Sequence, residues 1–393
     1  MRKVFVLFFL ICGVLIASPR KHRYLLVWAG DDAKKASDFL AVIDAEPTSP
    51  KYGQVLATRP TGVAGGMPHH TEDPVPADRH LLANAFHGDR TWLFDVSDPL
   101  APKVLTSFGD LDGYNHPHTY VRLPNGNVLA TFQYHGEHQT GGLVEFTERG
   151  KLIRSGSAVD MSKPELVIQP YSVAAFPQID RAISTDTSMM DREAPGGKVQ
   201  LWRLSDLKLL STFDLPAGPK GNENQWTGEA RMLPDGSVYV HTFHCGLYRV
   251  TNLEGGVPKA EFIRRFQGDS CAVPIQTGHW WLQTVPAEHA VVVLDITDPE
   301  HPKEVSRLTL DAKQAPHWLA WEPGGNRIVV NSGEYADHRI FIANFDQETG
   351  ALTLDEKFRD PGSDRAGVSM DGKTWPDGFT GNAFPHGTVF ELQ

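Results

Sequence analysis

The stretch Trp92-Leu93-Phe94-Asp95-Val96-Ser97-Asp98-Pro99-Leu100-Ala101-Pro102-Lys103-Val104 returns as Val292-Val293-Leu294-Asp295-Ile296-Thr297-Asp298-Pro299-Glu300-His301-Pro302-Lys303-Glu304. Each copy reads as a strand, an Asp-Pro turn and a second strand, the pattern of a hairpin. Asp95 and Asp295 stand 200 residues apart, which leaves room for about four units of roughly 50 residues, the size of a propeller blade. Leu123-Pro124-Asn125-Gly126, Leu233-Pro234-Asp235-Gly236 and Glu322-Pro323-Gly324-Gly325 each divide an innermost strand from the next, and the runs 199–204 and 340–345 are third-strand candidates. The units fall near 80–108, 118–155, 171–215, 228–266, 271–310 and 317–358, and the chain ends, Arg23 to Ala57 with Gly367 to Leu392, supply a seventh. Pairing the ends removes exposed sheet edges. The expected fold is therefore an all-β, seven-bladed propeller, one domain over 19–393 closed by N- and C-terminal strands.

The composition agrees with many turns and short strands: 36 glycines and 28 prolines in 393 residues. A net charge of −11 argues against a nucleic-acid or anionic-membrane partner. Met1 to Ser18 reads as a secretory signal, with Arg2-Lys3 ahead of an apolar run from Val4 to Ala17. That run is too short for a comfortable membrane span. The expectation is a periplasmic or secreted protein with no membrane insertion after cleavage. In an oxidising compartment Cys245 and Cys271 could pair, bind a metal or simply be buried. There is no Gly-x-Ser-x-Gly elbow, phosphate loop or dinucleotide fingerprint, and the sequence points to no partner protein.

Seventeen histidines against three cysteines turn attention to metal chemistry. Innermost strands line a propeller's channel, so residues at their starts gather around one mouth. His118 starts the unit at 118 and His317 the unit at 317, at equivalent places. In a regular strand His116 shares a face with His118, and two imidazoles can hold one ion. His69, His70, His244 and His386 are further candidate ligands, while His116 is assigned a supporting place. His135 and His138 read as solvated, and His87 and His301 as turn residues. Neutral imidazoles with few thiolates suit copper or zinc. Glu229, at the start of another unit, is the candidate general base, with Asp186 a weaker alternative.

The segment from Asp38-Phe39-Leu40-Ala41 through Asp44-Ala45-Glu46-Pro47-Thr48-Ser49-Pro50-Lys51-Tyr52 to Val55 resembles the N-terminal signature of the selenium-binding protein / methanethiol oxidase family. Pro68-His69-His70, Pro117-His118-Thr119, Gly141-Gly142-Leu143-Val144, Glu229-Ala230-Arg231, His244 and Asp295-Ile296-Thr297-Asp298-Pro299 follow in that family's order. The resemblance implies a β-propeller that uses copper to oxidise a small thiol with O2, giving aldehyde, sulfide and peroxide. It places copper on His69 or His70 and on His118, and it is what favours copper over zinc. Bacterial members of the family are often periplasmic. Three departures mark a diverged member. Val121 stands where the family has a further histidine. Val75-Pro76-Ala77-Asp78 replaces a segment resembling Cys-x-x-Cys, and the family's C-terminal motif is absent. They motivate an alternative reading, a non-catalytic exported propeller that binds a metal, a ligand or a partner protein.

Overall fold

The computed structural model describes residues 22–392, apart from 192, 195, 256 and 334–336. The secretory signal expected over Met1–Ser18 lies outside the described residues. Seven antiparallel sheets form the blades of a ring. Their innermost strands, Pro68–Thr71, Tyr114–Arg122, Pro170–Phe176, Thr227–Met232, Pro274–Thr277, Trp318–Trp321 and Ala383–Leu392, touch one another in succession around the channel. The ring closes where Ala383–Leu392 pairs with Arg23–Asp31, giving a blade whose inner strand comes from the C-terminal end and whose outer three come from the N-terminal end. Among the described residues no helix is long and apolar enough to cross a membrane.

The repeated hairpins are the third and fourth strands of blades two and six, Arg90–Asp95 with Lys103–Phe108 and Ala290–Asp295 with Lys303–Thr309. Both turns close alike. Asp95 Oδ1 accepts the Ser97 amide at 2.9 Å and Asp295 Oδ1 the Thr297 amide at 2.8 Å, the side-chain-to-backbone bond that favours aspartate in turns. The run Val291-Val292-Val293-Leu294 shows why middle strands lack alternation. Val291 and Val293 pack against Ile328 and Val330 of blade seven, while Val292 and Leu294 pack against Tyr239 and Leu247 of blade five. A strand sandwiched between two blades is apolar on both faces, and each such side chain contributes about 1.5–3 kcal/mol.

Two boundaries differ from those read in the sequence. Blade two begins at Pro68, not near 80, because its innermost strand is only four residues long, too short to show a period. Closure uses Ala383–Leu392 alone. The preceding Val368–Ser369 pairs instead with the third strand of blade seven, and Lys373–Thr374 pairs with Thr380–Gly381 in a small hairpin. Cys245 and Cys271 form a disulfide, with Cα atoms 5.0 Å apart, that ties blade five to the start of blade six.

Candidate metal centre

One irregularity, repeated around the ring, builds the site. In blade two Pro68 pairs with Ala85 and Thr71 with Ala83, so the inner strand carries an extra residue. The same break lies between Pro117 and Tyr120, Pro170 and Val173, Thr227 and Ala230, and opposite Val27 and Ala29 between Pro385 and Thr388. A bulge re-aims side chains and ends regular pairing. The residue pairs inside the five bulges are His69-His70, His118-Thr119, Tyr171-Ser172, Gly228-Glu229 and His386-Gly387. Proline, which has no amide hydrogen to give a ladder, opens four of them, and Pro316 likewise precedes His317.

The bulges divide the channel. His69, Tyr171 and His317 line a cavity of about 390 Å³. His70, Thr119 and Glu229 line another of about 380 Å³ on the opposite side. Between the two lies a packed imidazole cluster. Ring centroids are 4.5 Å apart for His69 and His70, 4.2 Å for His70 and His118, 4.0 Å for His69 and His386, and 4.8 Å for His317 and His386. Tyr171 lies against His118 with ring centroids 3.9 Å apart and planes tilted by 42°, and Trp318 meets His70 edge-on at 5.0 Å.

Five histidines in apolar surroundings, all 6 % exposed or less, call for a physical reason, because burial of polar atoms without partners is costly. His69 Nδ1, His70 Nε2, His118 Nε2 and His386 Nδ1 have no hydrogen-bond partner among the described residues. Nitrogens of His69, His70 and His118 all lie within 4.8 Å of one another. An ion bonded at about 2.0–2.1 Å draws such nitrogens slightly closer. His118 Nδ1 lies 3.2 Å from Thr119 Oγ1, which leaves Nε2 for the centre, the division of labour usual in metal-binding imidazoles. Burial depresses the pKa of His118 to about 3 and that of His317 to about 4. His69, His70 and His386 are held well below the ordinary imidazole range, by burial first and by neighbouring imidazoles second. The rings are therefore neutral, the state that binds metals. A divalent ion with nitrogen preference fits this donor set; the two paired cysteines offer it no thiolate.

His244 does not join the cluster. It sits half-buried in the turn that Cys245 closes onto Thr242, at a blade's second-to-third connection and not on an inner strand, and its Nδ1 faces Asn222 Nδ2 at 3.1 Å. It lines the 390 Å³ cavity together with His69 and His317. His116 does not share the face of His118. It takes a left-handed φ of 57° and rests against Phe86 and Tyr134, so the alternation expected of a regular strand is broken. Glu229 is buried, accepting from Ser172 Oγ and pairing with Arg231, both at 2.6 Å. Asp186 accepts the Gln169 amide at 2.9 Å, and burial raises its pKa to about 6.

Sequence reasoning missed His241, which is fully buried with neither ring nitrogen partnered among the described residues. It belongs to the second strand of blade five and reaches the inner strand over Gly228, where an added Cβ would lie 2.3 Å from its Nε2. It also missed Asn84. This residue accepts the His70 amide at 2.6 Å and donates to the carbonyls of Pro117 and His118 at 2.6 and 3.2 Å, tying two bulges together. The recurrence of proline before the first bulge residue was the signal that could have singled out the inward-facing pairs.

No protein-family model matches the chain. In sequence it is 25% identical over 376 residues to the methanethiol oxidase of Hyphomicrobium sp, covering 84% of this chain and 78% of that protein. In fold it is similar to a hypothetical selenium-binding protein from Sulfolobus tokodaii, with a TM-score of 0.73 at 14% identity, over 95% of this chain and 94% of that one. It is also similar to the periplasmic gluconolactonase of Pseudomonas aeruginosa, with a TM-score of 0.62 at 14% identity, over 94% and 98% of the two chains. The structural likenesses show the fold alone, since one fold serves many functions. With the motifs at 38–70 and 116–146 and the sequence similarity to methanethiol oxidase, the chain is a diverged relative of the selenium-binding protein and methanethiol oxidase family.

Proposed function

We propose that this protein is an exported, copper-dependent oxidoreductase that converts a small primary thiol, with dioxygen and water, to the corresponding aldehyde, hydrogen sulfide and hydrogen peroxide. The observation that carries the reading is the set of buried, neutral imidazoles whose free nitrogens converge between two cavities. The similarity to methanethiol oxidase supports the substrate class. His69, His70, His118 and His386 would hold the ion, with His317 beside them. A copper ion so bound supplies Lewis acidity towards sulfur and one-electron chemistry towards dioxygen. The chain's own part is to present the imidazoles unprotonated and, through Tyr171, Trp318 and Phe86, to keep bulk water from the cluster. Glu229 is the proton acceptor in this reading. Its Oε2 is held by Ser172 and Arg231 in the cavity it shares with His70, so protons leave on that side. The basic n-region and apolar run of 1–18, with the Cys245–Cys271 disulfide, support export to an oxidising compartment.

The test is metal analysis and a copper electron-spin spectrum of protein recovered from the periplasm, followed by oxygen uptake with methanethiol. About one copper per chain is expected, with peroxide formed as oxygen is consumed. His118→Ala should lower metal affinity by at least the 10–100-fold typical of lost supporting contacts and abolish uptake. Bound zinc, or bound copper without oxygen uptake, overturns the oxidase reading. It would leave the non-catalytic binding protein that Val121 and the missing family motifs suggest.

A further inference from the structure

We propose that the 390 Å³ cavity on the His69 side of the cluster is a binding pocket for a neutral thiol carrying an aryl or comparably bulky apolar group. This rests on the thiol-oxidising reading above. The pocket's floor is His69 and His317, and its walls are Tyr171, Trp226, Phe243 and Met189. Tyr171 lies against His118 with ring centroids 3.9 Å apart and planes tilted by 42°, and it meets Phe243 edge-on at 5.4 Å, so one aromatic surface runs from the cluster up the cavity wall. Trp226 and Phe243 are fixed to each other by the Phe243 amide donating to the Trp226 carbonyl at 2.9 Å. The adjoining wall is tied down by the Cys245–Cys271 disulfide.

Size and charge choose the ligand class. At about 30 Å³ per water-sized group, the cavity takes about a dozen non-hydrogen atoms. Methanethiol, one carbon and one sulfur, would leave most of an apolar space to water. Phenylmethanethiol, seven carbons and one sulfur, takes up more than half of it, with its ring against Phe243 and Trp226 in the offset or edge-on contacts aromatic groups prefer and its sulfur towards the imidazoles. No lysine or arginine lines the pocket among the described residues, and the acidic group on its wall is Asp269. Lys220 and Arg265 are already paired with Asp269, so a thiol bearing a carboxylate would have to compete with Asp269 for them. The overall reaction balances for phenylmethanethiol. One molecule each of the thiol, dioxygen and water gives one each of benzaldehyde, hydrogen sulfide and hydrogen peroxide. The C–S bond breaks as the carbonyl forms, and dioxygen accepts two electrons.

The test is anaerobic calorimetry of the metal-loaded protein with phenylmethanethiol, methanethiol and mercaptoacetate, alongside oxygen uptake with the first two. Phenylmethanethiol is expected to bind at least tenfold more tightly than either other thiol. Phe243→Ala should weaken its binding several-fold. Ser270→Trp, a filling substitution at an exposed wall position, should exclude it while leaving methanethiol binding in place. The pocket assignment is overturned if phenylmethanethiol binds no better than methanethiol, or if both substitutions leave its affinity unchanged. Methanethiol oxidation without phenylmethanethiol binding sinks the pocket and spares the oxidase reading. Tight, Phe243-dependent binding with neither thiol oxidised supports the pocket and sinks the oxidase reading.

Discussion

At the residue scale, buried ionisable groups set opposing pH limits. Asp38 is 1 % exposed; its Oδ2 accepts the Gly66 amide at 2.8 Å, and its Oδ1 has no partner among the described residues. Burial raises its pKa from 3.8 to about 7. The folded state thus keeps a proton that the unfolded state releases, so this contribution to stability is full below about pH 4 and fades as pH rises towards 7. The cluster histidines act in the opposite sense. Their folded pKa values, about 3 for His118 and about 4 for His317, lie below the ordinary 6.5, so their contribution is full above about pH 6.5 and is lost as pH falls through that window. Asp38→Asn should raise unfolding free energy at pH 8 by the order of 2 kcal/mol and give little gain at pH 4. Thermal unfolding at the two pH values checks this. Gly228 presents a steric limit. Gly228→Ala drives a methyl into His241 and should cost about 1–3 kcal/mol. Combining it with His241→Ala should recover part of that loss in a double-mutant cycle.

At the element scale, the bulged inner strands do the positioning. A regular strand would send alternate residues to opposite faces; the bulges instead put His69 and Tyr171 on the wall of one cavity and His70, Thr119 and Glu229 on the wall of the other. Asn84 holds two bulges in register, as Asn331 does for the closing strand by donating to the His386 carbonyl at 2.8 Å and Thr388 Oγ1 at 2.9 Å. Gly387 fits beside them because a Cβ there would lie 2.7 Å from the Thr71 amide nitrogen. Asn84→Ala leaves the His70 amide and two carbonyls without this partner. It should cost about 1–3 kcal/mol and lower metal affinity about 10–100-fold, read by unfolding and by competition with a chelator. Full metal affinity in the variant would show that Asn84 does not position the ligands.

At the scale of the whole molecule, the cluster depends on ring closure. Its histidines come from the inner strands or strand entries of blades two, three and seven and from the closing strand, so no single blade contains the site. Ala383–Leu392 brings His386 and also completes the N-terminal blade, with Arg79 and Glu391 forming an ion pair between that blade and the next. Removing residues 383–393 exposes the edge of Arg23–Asp31 and takes away one imidazole. The truncated chain should lose both cooperative unfolding and metal retention, measured by calorimetry and metal content. A cooperative, metal-retaining truncation would contradict this dependence.

The architecture was legible in the amino-acid sequence. The Asp-Pro hairpins repeat because each turn is closed by its own aspartate, and the Pro-Gly-type turns mark strand breaks because their conformational needs are local. His118 and His317 were legible through blade spacing, His69 or His70 through the family resemblance of Pro68-His69-His70, and His386 through its place at a strand end near the ring closure. What sequence could not give was the direction of each side chain. The left-handed backbone at His116 breaks the alternation expected of a regular strand, so His116 turned away from His118. Gly228 opened a path for His241, a residue of the second strand. His244, by contrast, stayed in a turn at the cavity wall. The pairing of Cys245 with Cys271 and the bridging role of Asn84 likewise required the tertiary structure, because both depend on distances between segments that only the closed ring brings together.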